Sequence, residues 1–215
     1  MITGKEIGHI ILAIIIFAFI TSAKTLFETP SKGGGKFIIM LLFGLIIIAV
    51  YVAAKKIIAY YYEVEIETRI WQFKRWGWYE RSHFKNPIPI GIILPFLLSI
   101  LTFGYVKWLA LLQSQEKATT ARAARRHDFY SYSELTEWHI GLISASGIVA
   151  SLFLAIIAYL INQPELSKLA IFYASFNMIP LGQLDGTKVL FAHKILWAFL
   201  AIVCAIFLGY ALFLP

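Results

Sequence analysis

Cysteine and charge are both scarce in this sequence of 215 residues. A single cysteine, Cys204, excludes a disulfide scaffold, and its place in an apolar run makes it a small lipid-facing or packed residue. Charged residues make up 14% of the chain, against about 25% in ordinary soluble domains. Hydrophobic residues reach 60%, where about 45–50% is usual, and the mean hydropathy is +0.75. So much apolar surface must be buried, which excludes a disordered chain. Internal repeats and low-complexity tracts are also lacking, as is any ring of charges, which argues against a channel or transporter. The formal charge of +7 raises the question of nucleic acid. The basic residues, however, lie mostly between apolar runs, where they meet lipid headgroups, so no nucleic-acid partner is expected.

What the sequence has instead is long apolar stretches. A membrane helix needs about 20 mostly apolar residues. Six segments qualify or come close: Ile7 to Ala23, Phe37 to Ala54, Ile88 to Leu112, Ile140 to Ile161, the short Leu169 to Leu181, and Val189 to Leu214. The first is too long for the apolar core of a signal peptide and is followed by no clear small-residue cleavage site, so it reads as a retained span. The expected fold is an all-α, multi-pass integral membrane protein. It would be a polytopic bundle of about six transmembrane helices with a short interfacial β-hairpin or sheet, its first partner the lipid bilayer. Basic residues balance at nine on each side if all six segments cross, so loop charge assigns no orientation.

Ser31 to Lys36, Ser-Lys-Gly-Gly-Gly-Lys, reads as a flexible linker. It divides an N-terminal region, residues 1–36, from a membrane core, residues 37–215. Two long loops interrupt that core, residues 55–87 and 113–139. In the first, Glu63 to Phe73 alternates polar and apolar residues, the period of a strand, with a register shift expected near Trp71. Trp71, Trp76, Trp78, Tyr79 and Phe84 follow, mixed with Lys74, Arg75, Arg81 and Lys85, a composition suited to the headgroup zone. The second loop reads as a solvated surface segment carrying Arg122, Arg125, Arg126, His127 and Asp128. A short strand is expected at Phe129 to Ser133. His83, His127 and His139 read as surface residues.

The informative segment is Phe176 to Gly186, Phe-Asn-Met-Ile-Pro-Leu-Gly-Gln-Leu-Asp-Gly. An aspartate in apolar surroundings, just after a helix-breaking proline, is either a turn in water or a functional group facing a polar interior. Asn177, Pro180, Leu184, Asp185 and Gly186 resemble the NxxPxxxLDG motif of the site-2 protease family of intramembrane zinc metallopeptidases. Upstream, Ser144 to Ser151 is similar to the AxAGPxxN segment of that family, with Gly147 at the glycine, Ile148 at the usual proline and Ser151 at the usual asparagine. The resemblance covers residues 37–215 and is nearest to the archaeal branch. It implies zinc held by two histidines of an HExxH helix and by the LDG aspartate, here Asp185. The glutamate of HExxH would activate the metal-bound water.

The HExxH motif itself is missing. One degenerate register places Tyr51 and Lys55 at the histidine positions and Val52 at the glutamate. The other is Lys5 to His9, which retains Glu6 and His9 but lies at the start of the first span. The first register is preferred. It implies a pseudoprotease with no general base and no cofactor, in which Lys55 neutralises Asp185 as the metal would and Tyr51, one turn earlier, donates to the same carboxylate. The competing reading of Lys55 and Lys56 is that they end the span and reach for headgroups. Functionally, the resemblance implies a non-catalytic protein that binds transmembrane segments of partner proteins by strand addition beside Glu63–Ile70. The alternative is an active zinc metalloprotease that uses Glu6, His9 and Asp185. His193 could approach the same site but makes no zinc centre alone.

Overall fold

The computed structural model describes residues 3–75, 83–119 and 135–213. Trp76, Trp78, Tyr79, Arg81 and the cluster Arg122 to Asp128 lie outside the described residues, as does the strand expected at Phe129 to Ser133. The fold is predominantly α-helical, as the hydropathy predicts. Among the described residues the helices are α1 (Gly4–Glu28), α2 (Pro30–Tyr61), α3 (Ile90–Leu101), α4 (Glu137–Leu160), α5 (Pro164–Met178), α6 (Asp185–Ala192) and α7 (Lys194–Phe213). Four of these, α1, α2, α4 and α7, are long and apolar enough to cross a membrane.

Two of the six apolar segments form shorter helices, and the last is broken. The third segment forms a helix of only 12 residues, α3, and then turns. Phe103 and Gly104 both take positive φ, and a Cβ on Gly104 would fall 2.3 Å from the backbone nitrogen of Lys24, so only glycine fits there. The fifth segment forms the 15-residue α5, which starts at Pro164 in the first helical turn. The last segment is broken at His193, whose extended backbone separates α6 from α7.

Two compact units emerge. The first comprises Met1–Ile48 and Thr68–Gln113, the second Ala49–Glu67 and Ser114–Pro215. Long helix α2 contributes to both. The Ser31–Lys36 stretch is not a linker but the start of α2, with Thr29 alone between α1 and α2. Gly33 explains part of this: a Cβ there would lie 2.6 Å from the Leu26 side chain, so the glycine lets the two helices close. Gly44 meets the Phe17 ring in the same way.

In the first unit, Thr3 caps α1 by accepting from the Glu6 backbone N–H at 3.3 Å. Thr21 and Ser22 return their hydroxyls to the Phe17 and Ala18 carbonyls, which satisfies them inside an apolar helix. Phe19 of α1 stacks on Phe96 of α3 at 5.1 Å. Gly91 opens α3 by donating to the Trp71 carbonyl at 2.9 Å, while Trp71 donates to Leu111 at 2.8 Å. The Glu6 carboxylate is buried and accepts the Thr68 backbone N–H at 3.1 Å. Glu6→Ala is expected to cost about 2 kcal/mol, the worth of a buried hydrogen bond to a charged group. Faster hydrogen exchange at the Thr68 amide would report it, and unchanged exchange would refute it.

Four strands accompany the helices among the described residues. The alternation read from the sequence gives β1 (Val64–Ile70), in which Val64, Ile66, Thr68 and Ile70 are the buried positions. It stops before Trp71, where the register shift was expected, and β2 (Phe73–Arg75) pairs antiparallel with β3 (His83–Ile88). Strand β1 pairs with β4 (Leu112–Ala118), a strand absent from the sequence reading, which treated residues 113–139 as a surface loop. Trp71 meets Leu111 at one end of this pair and Thr119 meets Glu63 at the other, so the two strands run in opposite directions.

The second unit packs α4 against α5 and α6, with α7 on α5. Its core joins Ala145, Ile148 and Leu152 of α4 to Ala174 and Met178 of α5, Val189 of α6, and Leu200 and Cys204 of α7. Cys204 is a buried free thiol inside that core, in keeping with a packing role.

Candidate functional site

Asp185 owes its position to the breaker before it. Pro180 disfavours helical backbone at Ile179, which is extended (φ −65°, ψ 130°), and α5 ends there. A turn through Gly182, at φ 57°, returns the chain to Leu184, and α6 starts at Asp185. Gly186 permits this return. A Cβ on it would sit 2.0 Å from the carbonyl oxygen of Met178, so α6 begins in direct backbone contact with the end of α5. Asn177, fully buried, donates to the Tyr173 carbonyl at 2.8 Å and reinforces the last turn of α5. Asp185 is consequently 0% exposed, which rules out a turn in water.

Three other elements converge on its carboxylate. From α2, the Lys55 ammonium donates to Asp185 Oδ1 at 2.7 Å and to Oδ2 at 2.8 Å. The Tyr51 hydroxyl, one turn earlier, donates to the same carboxylate. Lys55 is buried and does not reach for headgroups. From α4, Gly147 provides the room: a Cβ there would lie 2.8 Å from the Tyr51 ring and 3.0 Å from Lys55 Cδ. From α5, Tyr173 packs its ring edge-to-face on Tyr51 at 5.1 Å.

The network continues through β4. Lys55 also donates to Ser114 Oγ at 2.9 Å, and Ser114 donates to Glu116 at 2.6 Å. Lys188, on α6 three residues after Asp185, donates to Ser114 Oγ at 3.0 Å, to Glu116 at 2.6 Å, and to the Ser114 backbone carbonyl. The Ser114 hydroxyl thus uses its one donor and both acceptor positions. Lys55 and Lys188 balance Asp185 and Glu116, so the four charges sum to zero. Buried charges are tolerated when they are paired and hydrogen-bonded in this way.

The structure thus brings together Tyr51, Lys55, Asp185, Gly147 and Gly186 of the residues singled out in the sequence. Val52 is buried on α2 and brings no ionisable group. Glu6 and His9 belong to the first unit, where Glu6 binds the Thr68 amide. Ser114, Glu116, Lys188 and Tyr173 were missed. Lys188 had a signal, since three residues after Asp185 on a helix places both on one face. Ser114 and Glu116 had none, because Leu112–Ala118 does not alternate.

No protein-family model, curated protein or solved structure matches this chain. The class of protein is defined by its own features: a polytopic helical membrane fold with a neutral network of four charges in its second unit, Lys55 and Asp185 buried and Lys188 and Glu116 partly buried. Among the described residues, no group of three histidine, cysteine, aspartate or glutamate side chains stands close enough to hold a metal ion.

Proposed function

We propose that this chain is a non-catalytic membrane protein of site-2-protease type that binds transmembrane segments of partner proteins. One observation carries the reading: the Lys55 ammonium lies on both oxygens of Asp185, the carboxylate at the position of the LDG ligand. A zinc ion does not fit this donor set. An ammonium has no lone pair for a metal, the Asp185 oxygens already accept from Lys55 and Tyr51, and one carboxylate cannot make the tetrahedral site that zinc favours. Val52, at the position of the catalytic glutamate, cannot accept a proton from water. In this reading the ammonium does the electrostatic work of the metal and holds the scaffold closed around Asp185.

Partner capture would use the pair β1–β4. A transmembrane helix that unwinds near this sheet exposes backbone groups that are costly to leave unpaired in lipid. Pairing with a sheet edge satisfies them, and alternate side chains select the sequence. Elemental analysis of protein purified in detergent tests the metal-free reading. Zinc is expected to be substoichiometric and equal in wild type and Asp185→Asn. Stoichiometric zinc that is lost in Asp185→Asn, or substrate cleavage abolished by Glu6→Gln, would overturn it in favour of an active metalloprotease.

A further inference from the structure

In an antiparallel ladder, successive residues turn their N–H and C=O alternately toward the partner strand and away from it. The bonds at the two ends of the β1–β4 pair fall on Glu63 with Thr119 and on Trp71 with Leu111, all odd-numbered. The even-numbered residues therefore present their backbone groups to the outer edges. Two side-chain contacts agree with this parity. The Thr68 N–H, on the outer edge of β1, is taken by Glu6, and the Ser114 carbonyl, on the outer edge of β4, is taken by Lys188.

We propose that Lys188 is a guard on the outer edge of β4, and that an extended, uncharged segment of a partner chain docks there by displacing the ammonium from the Ser114 carbonyl. This rests on the partner-binding reading above and names its edge and its control. The two caps differ in how easily they yield. Glu6 is 1% exposed and serves a backbone N–H. Lys188 is 14% exposed at its side chain and has two further acceptors, Ser114 Oγ and Glu116. It gives up one carbonyl and keeps its ion pair, so release exposes no unpaired charge. The partner is uncharged because the network it meets is neutral: Lys55, Lys188, Asp185 and Glu116 leave no surplus charge to attract an acidic or a basic segment. An added strand would then protect the outward amides of Ser114 and Glu116, while Gln113 and Gln115 already face β1.

The test uses full-length protein in detergent micelles and a labelled synthetic single-span peptide rich in valine and glycine, whose helix is weak. The double variant Lys188→Met/Glu116→Gln removes the cap and keeps the network neutral, which avoids stranding Glu116. It is expected to bind the peptide about tenfold more tightly than wild type, as the loss of a competing hydrogen bond from a charged donor implies. Lys188→Arg, which retains a donor, is expected to bind as wild type does. Amide exchange is expected to slow at Ser114 and Glu116 when peptide is added. Equal, measurable affinity of wild type and double variant overturns the guard alone, as does protection at Ile66 and Thr68 instead. Absence of binding to either protein overturns the guard and the partner-binding reading together.

Discussion

Lys55→Met is expected to destabilise the protein by about 3–5 kcal/mol, since it strands the Asp185 carboxylate in a fully buried position. The reason is asymmetric. With both partners present, each desolvation cost is offset by short hydrogen bonds, two from Lys55 and one from Tyr51. With Lys55 gone, only the Tyr51 hydroxyl remains against a full negative charge. The double variant Lys55→Met/Asp185→Leu removes both charges and is expected to lie within about 1 kcal/mol of wild type or above it, as replacements of buried pairs by apolar residues often do. Thermal unfolding in detergent distinguishes these outcomes. A single variant as stable as the double would show that Asp185 does not depend on Lys55.

Gly186→Ala is expected to be the most damaging change of a single methyl group, costing at least about 3 kcal/mol. The new Cβ would meet Met178 at its carbonyl oxygen and at its carbonyl carbon, 2.0 and 2.3 Å away. Both are backbone atoms at the end of α5, so no side chain can step aside. Helix α6 must move, and Asp185, the residue before, moves with it out of reach of Lys55. Gly147→Ala should cost less, about 1–3 kcal/mol, because it meets the side chains of Tyr51 and Lys55. Gly209→Ala is the control: nothing lies within 4 Å of its Cβ. In a helix it should gain up to about 1 kcal/mol. A Gly186→Ala protein with wild-type melting would sink the close-approach argument.

Different parts of this architecture were legible to different degrees. Lys55 and Asp185 stood out because each interrupts an apolar setting, where a charge persists only with a partner. Tyr51 was singled out by the resemblance to an HExxH helix, and helical spacing then placed it one turn before Lys55. Glu116 and Ser114 were not legible, because Leu-Gln-Ser-Gln-Glu-Lys-Ala carries no alternation and its strand exists through pairing with β1. The glycines of Ser31–Lys36 mislead for a related reason: local propensity favours a break, while the Gly33–Leu26 approach rewards a helix. The third apolar segment reads longer than its helix, which ends at Leu101, just before the close approach of Gly104 to the Lys24 backbone. The turn at His193 was hidden by an apolar run that is continuous in composition but not in backbone.

The zero net charge of the Lys55, Asp185, Glu116 and Lys188 network also bears on how such a site would respond to a membrane field. A single charge crossing the membrane field changes energy by about 2.3 kcal/mol per 100 mV. An unpaired Asp185 would couple the second unit to that field, so that every change in membrane potential would push on α6. Two compensated pairs carry no net charge, and displacing them together would do little electrical work. A network of this kind is therefore a poor sensor of membrane potential, because it carries no net charge for the field to move.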